Sequence, residues 1–310
     1  MNNMTVSVSP HIRARATTRS VMLDVIIALI PAAVAGTVIF GLRSLAVIAV
    51  SIAAAVLSEI LFNVVCKREQ TAGDLSAVVT GLLLALNLPA NIPLWQTAVG
   101  AVFGVVFVKC IFGGIGQNFA NPAITARIFM IIAFSGSVVA LTNPTIVDTT
   151  ASATPLAILE GKAAGEVPAI KDLLLGVRGG ALGETCGIAL LLGGAYLLVR
   201  RVISWHTPVS FVATVWLLSL VITGSALTAL EYTLSGGLLL SAIFMATDYA
   251  TTPTGKLGKV VFGVGCGLIT VLLRFWSSYP EGVSFSILLM NILTPYIERF
   301  TARKHFGGAA

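Results

Sequence analysis

Residues 21–40 read VMLDVIIALIPAAVAGTVIF, and this apolar run decides the fold class. A transmembrane helix needs about 20 predominantly apolar residues, so the run is long enough to cross a bilayer once. It follows a tail that carries Arg13, Arg15 and Arg19. Because further runs of the same kind come after it, we predict a retained membrane helix rather than a cleaved signal sequence.

The composition of the whole chain points to the same class. Of 310 residues, 56% are hydrophobic and 10% are charged, whereas an average soluble domain has roughly 25% charged residues. Ten membrane spans would use about 200 residues and leave about 110 for loops and tails. The chain is therefore predicted to be an all-α integral membrane protein without a large soluble domain.

Charge and cysteine usage argue against two other classes of protein. The formal net charge of +6 comes from residues that form no basic patch or stripe, so nucleic-acid binding is not favoured. The four cysteines lie far apart and lack a C-x-x-C spacing, which argues against zinc and iron–sulfur sites. We therefore predict no metal site.

Hydropathy, with Gly, Pro and charged residues as breaks, predicts ten membrane helices. Their ranges are 21–40, 44–65, 75–88, 95–112, 122–141, 186–201, 208–224, 234–247, 260–276 and 283–297. The chain is accordingly divided into an N-terminal tail (1–20), a first five-helix repeat (21–141), an outer loop (142–185), a second five-helix repeat (186–297) and a C-terminal tail (298–310).

The distribution of cations predicts the orientation of these helices. With cytoplasmic termini, the residues left on the outer side among the 19 Lys and Arg are Arg43, Lys162, Lys171, Arg178 and Arg274. The others, Lys109 and Arg127 among them, fall on the inner side. The positive-inside rule therefore predicts cytoplasmic termini and an extracytoplasmic loop 142–185.

Two five-helix halves predict an inverted repeat, because an odd number of helices per half turns the second half upside down. Gly81-Leu82-Leu83-Leu84 opens the third span of the first half, and Gly237-Leu238-Leu239-Leu240 lies near the start of the third span of the second. Both spans, helices three and eight, are short and end in polar or proline-containing sequence. Such paired broken helices indicate an intramembrane pathway. The alternative is a pair of half-helices that are shielded by protein and bind no ligand.

Ionisable residues at membrane depth are candidates for this pathway, because a lone buried charge is costly. Asp24, Glu59 and Asp248 form the predicted ion path, and Arg274 and Glu281 lie around the outer end of helix nine. For Asp24 and Glu59 the alternative is an interfacial position or an internal hydrogen bond. For Asp248 the alternative is capping of the turn that ends helix eight.

The outer loop contains Asp148-Thr149-Thr150-Ala151-Ser152-Ala153-Thr154-Pro155-Leu156. A proline disfavours the helical region for the residue before it, so we predict an extended Thr154 whose side chain another protein can reach. A modifying enzyme needs that access. The alternative interpretation is an ordinary outer loop.

This stretch resembles the D-x-x-[ST]-G-A-T signature at which a flavin transferase joins FMN to a threonine hydroxyl through a phosphodiester. Thr154 occupies the acceptor position, while Ala151 replaces the usual hydroxyl residue and Ser152 the usual glycine. Other blocks resemble the same family, and they are Phe112-Gly113-Gly114-Ile115-Gly116-Gln117-Asn118-Phe119-Ala120-Asn121-Pro122-Ala123, Gly183-Glu184-Thr185, Phe244-Met245-Ala246-Thr247-Asp248, Tyr279-Pro280-Glu281-Gly282-Val283 and Leu289-Met290-Asn291.

The family comprises the D subunit of the Rnf electron-transport complex and the B subunit of the sodium-pumping NADH:quinone reductase. The resemblance runs in order through nearly the whole chain, and the compact length and Pro155-Leu156 ending are closer to the Rnf protein. It implies one component of a bacterial inner-membrane complex that passes electrons between ferredoxin and NAD and moves Na⁺ or H⁺. One such component would not complete the reaction alone.

The resemblance also implies cofactors and partners. FMN would be attached to Thr154 on the outer face and would exchange electrons with a flavin of the neighbouring G subunit. A second, non-covalent flavin such as riboflavin is left open. The other partners would be the A, B, C and E subunits of the Rnf complex, a flavin transferase during maturation, and membrane lipid. The predicted cofactor-binding residues besides Thr154 are Asp148, Ser152, Gly183, Glu184 and Thr185.

Two of the blocks also have purely structural interpretations. Gly113, Gly114 and Gly116 would relieve crowding where helix four turns into helix five. With no strand before them they do not form a dinucleotide fingerprint, and contact with a neighbouring subunit or a flavin edge is the alternative. Glu184 and Thr185 are expected at the N-terminus of helix six, with Thr185 as N-cap. The amides there could instead hold a flavin, and Thr185 is the second candidate for attachment.

Two other functions are compatible with the same residues. Inverted repeats with broken helices are common in transporters, so a solute channel or transporter without flavin is the runner-up. A flavin-free scaffold within the complex is the third possibility, because of the residues at Ala151 and Ser152. The presence of covalent flavin separates the electron-relay function from both alternatives.

Overall fold

The structure, a computed structural model, describes residues 17–139, 154–161, 167–176, 178–277 and 282–302. Every regular element in these ranges is helical. The helices are α1 Thr18–Phe40, α2 Leu42–Val65, α3 Ser76–Leu86, α4 Leu94–Cys110, α5 Pro122–Ala133, α6 Pro155–Leu159, α7 Ile170–Leu175, α8 Gly187–Val199, α9 His206–Thr223, α10 Ala226–Leu234, α11 Leu238–Met245, α12 Lys256–Trp276 and α13 Val283–Thr301. A 3₁₀ turn, Ala72–Asp74, precedes α3, and a short helical turn, Ser135–Val138, follows α5.

Several of these helices can cross a bilayer. Over the described ranges, α1, α2, α9 and α12 are long and apolar enough to do so individually. Helices α10 and α11 pass the same test as a pair that is bent by 67°. Helices α3, α4, α5 and α8 are shorter and also apolar. The protein is therefore an all-helical integral membrane protein over the part described, while ten crossings stays a prediction.

The outward surface of α1 and α2 is apolar. Val38, Leu42, Leu57 and Val65 are all exposed on these two helices. A contiguous apolar surface of this kind is unusual in water, whereas lipid tails are as apolar as leucine and cover it without cost. This surface agrees with the membrane location that the composition predicts.

The largest correction to the predicted helices is an additional helix, α10, which precedes the predicted range 234–247. Ser235-Gly236-Gly237 separates α10 from α11, and Gly236 has φ +68°. Hydropathy does not reveal α10, because Glu231, Tyr232 and two threonines dilute its apolar character. The predicted helix 122–141 is also shorter than expected, since α5 ends at Ala133.

The contacts between helices repeat in the two halves. Helix α2 packs on α3 and α4, and helix α9 packs in the same way on α10 and α12. Helix α4 packs on α5, and α12 packs on α13. The halves meet where α1 packs on α8 and α5 packs on α13. This pattern of neighbours is the one that a five-plus-five repeat requires.

Candidate functional site

The predicted attachment residue lies at the start of a short helix. Thr154 has φ −67° and ψ 147°, so the extended conformation predicted from Pro155 is confirmed. Its Oγ1 accepts a 3.1 Å hydrogen bond from the N–H of Ala157 and caps α6. The side chain is half-buried, and its oxygen serves as an acceptor in that bond. Asp148 and Ser152, predicted beside it, lie outside the described residues.

Helix α6 is held against the second half of the protein by a tyrosine. The Tyr232 hydroxyl on α10 donates a 2.9 Å hydrogen bond to the carbonyl oxygen of Leu159, the last residue of α6. Arg274 of α12 in turn donates to the carbonyl oxygens of Tyr232 at 2.6 Å and Ser235 at 3.1 Å. Arg274 stands out in the sequence by its charge, whereas nothing in the sequence marks Tyr232 as the anchor of the Thr154 helix.

The loop 178–186 lies against the C-terminal end of α3. The N–H of Gly183 donates to the carbonyl oxygen of Leu86 at 2.7 Å, and the N–H of Leu182 donates to that of Leu88 at 3.0 Å. A Cβ on Gly183 would lie 2.5 Å from the Cβ of Leu86. The glycine of the Gly183-Glu184-Thr185 block is therefore explained by close packing on a half-helix, and its N–H is already occupied.

The capping prediction for this block is wrong. Helix α8 begins at Gly187, and its N-cap is Cys186 rather than Thr185. Thr185 is fully buried, and its Oγ1 has no hydrogen-bond partner. The Glu184 Oε1 atom accepts a 3.0 Å bond from the N–H of Ala181 and so stabilises the loop rather than the helix. Because Thr185 is buried, a modifying enzyme cannot reach its hydroxyl in this conformation.

Arg178 is a second buried cation near this end of the bundle. It is 5% exposed, and its Nη2 donates a 2.8 Å hydrogen bond to the carbonyl oxygen of Glu184. Burial lowers the pKa of the Arg178 guanidinium, the nearby Glu184 raises it, and the neighbouring charge of Arg274 lowers it further. Arg178 is therefore a buried loop cation, because this part of the loop folds inward.

The ends of α3 and α11, which correspond to the predicted broken helices three and eight, meet at a polar junction. The Asn87 side chain, just after α3, lies 3.5 Å from the sulfur of Met245 at the end of α11. It also accepts a hydrogen bond from Arg127 of α5. Asn121, the N-cap of α5, lies 3.4 Å from the carbonyl oxygen of Met245. The junction brings together two half-helices that are 158 residues apart in sequence.

Arg127 and Lys109, which the charge distribution counts on the inner side, are both buried. Their exposures are 6% and 3%, and both side chains point into the bundle from helices. Arg127 contacts Asn87, and Lys109 contacts Glu59. Each of these cations therefore has a polar partner that is distant in the sequence.

Asp248 belongs to the same junction. One carboxylate oxygen accepts from the N–H of Ala250 at 3.1 Å. The other accepts from the Thr251 hydroxyl at 3.3 Å and from the Asn121 amide at 3.4 Å. The turn-capping alternative is thus observed, and the bond to Asn121 also ties the end of α11 to the start of α5.

Asp24 has partners on the other half of the protein. The Tyr196 hydroxyl donates to its Oδ1 at 2.9 Å, and Arg200 pairs with its Oδ2 at 3.3 Å. Tyr196 lies on α8, and Arg200 follows this helix directly, so the carboxylate joins α1 to α8. The alternative that Asp24 makes an internal hydrogen bond is therefore observed.

Glu59 is the most deeply buried of the three predicted ion-path residues. Its Oε1 pairs with the Lys109 ammonium at 2.8 Å, and the Thr71 hydroxyl donates to the same oxygen at 2.6 Å. Lys109 also donates to the Ser76 hydroxyl at 2.5 Å. A buried ion pair is retained only where further hydrogen bonds support it, and this one has them on both partners.

The glycine block after α4 forms a tight turn, as predicted. Gly113, Gly114 and Gly116 have φ of +119°, +101° and +85°, a region that side chains with a Cβ rarely adopt. Asn121 caps α5 by accepting from the N–H groups of Ala123 and Ile124, at 3.0 Å and 3.3 Å. The block thus redirects the chain and places two asparagines, at 118 and 121, beside the junction.

A cavity opens between the two halves next to this turn. Apolar side chains from several elements form most of its wall, and they include Leu83, Ile115 and Phe244. Asn118 and Asn121 bring amide groups to the same cavity, and Lys109 and Asp248 bring charges. An apolar cavity with a few convergent polar groups is the common form of a small-molecule site. Among the described residues, no cluster of His, Cys, Asp and Glu could hold a metal ion.

Residues 5–307 match the family model described as "NQR2, RnfD, RnfE family". The chain is 44% identical over 307 residues to the D subunit of the Na⁺-translocating ferredoxin:NAD⁺ oxidoreductase complex of Acetobacterium woodii, and the match covers 98% of this chain and 96% of that one. It is 38% identical to the D subunit of the proton-translocating ferredoxin:NAD⁺ oxidoreductase complex of Clostridium ljungdahlii, with 99% and 97% covered. It is 32% identical to the D subunit of the ion-translocating oxidoreductase complex of Ectopseudomonas mendocina, with 96% and 94% covered.

Proposed function

Because the chain belongs to the NQR2, RnfD, RnfE family, we propose that it is the D subunit of an ion-translocating ferredoxin:NAD oxidoreductase complex. The full-length similarity to relatives that are named as D subunits carries this proposal. The relatives differ in the named ion, sodium in one and protons in another. The complex would lie in the bacterial inner membrane, with both termini cytoplasmic and the loop 142–185 outside.

We infer that Thr154 carries FMN through a phosphodiester. The residue fits this attachment because its side chain is partly accessible, and because its oxygen accepts a hydrogen bond from Ala157 and so leaves the hydroxyl proton for the transfer. The bond from Tyr232 to Leu159 holds the helix that begins at Thr154 and so would keep the attachment point in place. FMN, when bound, supplies exchange of one or two electrons, while the protein supplies its position.

The partners follow from this location of Thr154. A flavin transferase must reach the outer loop before or during assembly. In the complete complex the neighbouring flavin-bearing G subunit would face the same loop, because electron transfer depends on a short and constant distance. The A, B, C and E subunits and membrane lipid would surround the remaining surface.

A second flavin without a phosphodiester, such as riboflavin, is proposed for the cavity between the halves. Its apolar walls, Leu83, Ile115 and Phe244, suit a flat aromatic ring, and the amide of Asn118 in the same wall would pair with a polar atom of the ring. Asn118 uses one of its N–H groups on the carbonyl oxygen of Ala120, at 2.9 Å, which holds the amide in place. The site therefore fits the chemistry of the ring.

The ion path is proposed to follow the junction of α3 and α11. Asp248 lies at this junction, and Glu59 lies behind it with Lys109. Flavin reduction would change the charge beside the inverted repeat. This change would shift the equilibrium between two conformations of the ion path. Asp24 bonds to Tyr196 and Arg200 at the contact of α1 with α8, and it is proposed to position these two helices.

In-gel flavin fluorescence tests the relay function. The chain and its Thr154→Ala variant are each co-expressed with a flavin transferase and separated by denaturing electrophoresis. A fluorescent band that is lost in the variant is expected, and Thr154→Ser, which keeps a hydroxyl, is the matched control. Fluorescence that persists in Thr154→Ala would move the site elsewhere. No fluorescence in any form, beside a labelled positive control, would favour the flavin-free scaffold or the transporter.

A further inference from the structure

The ion pair of Glu59 and Lys109 is almost completely enclosed. The two side chains are 1% and 3% exposed, and Lys109 belongs to the π-helical segment Gly104–Cys110. A π-helical segment is rare and is found most often at functional sites. A neutral pair could be replaced by apolar residues at little or no cost, so a buried pair inside a membrane protein calls for a function.

The two oxygens of Glu59 have different surroundings. Oε1 accepts from both Lys109 and Thr71, whereas Oε2 is buried and has no hydrogen-bond partner. A buried carboxylate oxygen without a partner is unfavourable, and in known sites a cation or a proton satisfies it. The unsatisfied atom is therefore an independent sign of a ligand at this position.

Glu59 also lines a cavity of about 200 Å³, whose volume would accept several water molecules. Asn63 and Thr71 line the same cavity and carry oxygen atoms that can bind a cation, and the exposed Glu69 lies at its opening. Carboxylate, amide and hydroxyl oxygens are the ligands that hard cations prefer. The cavity thus places possible oxygen ligands of a cation next to Glu59.

Lys109 has a second set of partners on its other side. Its ammonium donates to the Ser76 hydroxyl at 2.5 Å, and Ser76 in turn contacts the carboxylate of Asp74. Lys109 also lines the cavity between the halves, together with Ser76 and Asp248. The lysine therefore stands between two cavities and has an anion within reach on each side.

We propose that the ammonium of Lys109 and a monovalent cation such as Na⁺ compete for the carboxylate of Glu59. In the empty site the ammonium pairs with Glu59, as the structure shows. When a cation binds Oε2 with oxygens of Asn63 and Thr71, Lys109 leaves Glu59, keeps its bond to Ser76 and moves toward Asp74. This inference rests on the proposed function, because it gives the ion path its first binding step.

Charge balance favours a monovalent ion. One cation on Glu59 and the ammonium on Asp74 leave two neutral pairs, whereas a divalent ion would leave an extra buried charge. The exchange also moves Lys109 within the wall of the cavity proposed for a flavin. Binding of the cation and the state of that cavity are thereby linked through one side chain.

Thermal unfolding in NaCl tests the exchange, with choline chloride at the same ionic strength as the reference. A ligand that binds the folded protein raises Tm with the logarithm of one plus the ratio of its concentration to Kd, so a NaCl series gives the Kd for Na⁺. Removing the lysine should lower this Kd about tenfold. We expect this gain in Lys109→Gln and the loss of any sodium-specific shift in Glu59→Gln. Arg68→Gln, which removes a cation from the rim of the same cavity, should resemble the wild type.

Two results would overturn the proposal. The first is an equal Kd for Na⁺ in the wild type and Lys109→Gln, and the second is a sodium-specific shift that survives in Glu59→Gln. If Lys109→Gln does not fold in either salt, Asp74→Asn decides. It keeps the ion pair but removes the negative charge that receives the displaced lysine, so the Kd for Na⁺ should rise several-fold, and no change would overturn the proposal.

The flavin content of each sample is measured by fluorescence in parallel. A flavin-bearing protein without the sodium response overturns the lysine exchange and leaves the proposed function intact. A sodium response in a chain that never takes up flavin overturns the electron relay and leaves the exchange intact. The two failures are therefore distinguishable.

Discussion

The backbone N–H of Gly183 donates a 2.7 Å hydrogen bond to the carbonyl oxygen of Leu86. The last carbonyls of a helix have no partner within it, and here a loop from nearly a hundred positions later supplies one. Helix α3 can therefore end inside the protein at Leu86 without exposing unsatisfied backbone to lipid. The contact joins the outer loop region to the junction of the broken helices.

Substitution of Gly183 by alanine should destabilise the protein. The new Cβ would lie 2.5 Å from the Cβ of Leu86, and overpacking of this kind costs about 1–3 kcal/mol. Thermal unfolding of the detergent-solubilised protein measures the loss. Gly73→Ala is the matched control, because no atom lies within 4 Å of a Cβ at that position. Equal stability of the two variants would mean that the loop does not pack on α3 as described.

Substitution of Arg274 by glutamine should loosen the bend between α10 and α11. Its guanidinium donates hydrogen bonds to the buried carbonyl oxygens of Tyr232 and Ser235. Each buried carbonyl that loses its donor costs about 1–3 kcal/mol of stability. A lower Tm is expected, with partial recovery in Arg274→Lys. Arg43→Gln is the control, since Arg43 also donates to two carbonyls, of Ala90 and Asn91, but is exposed to solvent. A comparable loss in both variants would contradict this interpretation.

Substitution of Thr185 by valine should leave flavin attachment intact. The hydroxyl is buried and has no partner, so a side chain of the same shape without it is expected to be neutral or slightly stabilising. In-gel flavin fluorescence and Tm are measured together. Loss of the fluorescent band with an unchanged Tm would make Thr185, rather than Thr154, the attachment residue.

Substitution of Asp24 by asparagine should weaken the contact between α1 and α8 without stopping ion movement. The carboxylate is used by Tyr196 and Arg200, so Arg200→Gln should have a similar and small effect on Tm. Ion uptake and NAD reduction are measured in vesicles that contain the assembled complex. Abolished uptake in Asp24→Asn alone, at wild-type Tm, would return Asp24 to the ion path.

Substitution of Asp248 by asparagine should lower the number of ions moved per electron. The amide removes a negative charge from the junction, but its oxygen can still accept from the N–H of Ala250, so the turn should persist. The same vesicle assay gives the ratio, and fluorescence confirms that flavin is retained. Asp172→Asn on α7 is the control. An unchanged ratio in Asp248→Asn would exclude this residue from the path.

Several features of the molecule follow from single residues and their neighbours along the chain. The apolar runs of α1, α2, α9 and α12 predict helices because a bilayer accepts little else. Pro155 predicts the extended Thr154, and the glycines at 113, 114 and 116 predict a turn. These effects act within a few residues, so local sequence is enough to specify them, and the composition and motifs specify the membrane class and the family.

The partners of the buried polar groups, in contrast, depend on the packing of distant helices. Glu59 and Lys109 are 50 residues apart, and Asn87 and Arg127 are 40 apart. Hydropathy places Glu59, Lys109 and Arg127 in predicted helices but does not identify their partners, because the cost of burying a charge is offset by a partner that only folding brings near. For the same reason Gly183 resembles part of a helix cap in the sequence, whereas its close contact with Leu86 in the folded protein explains it.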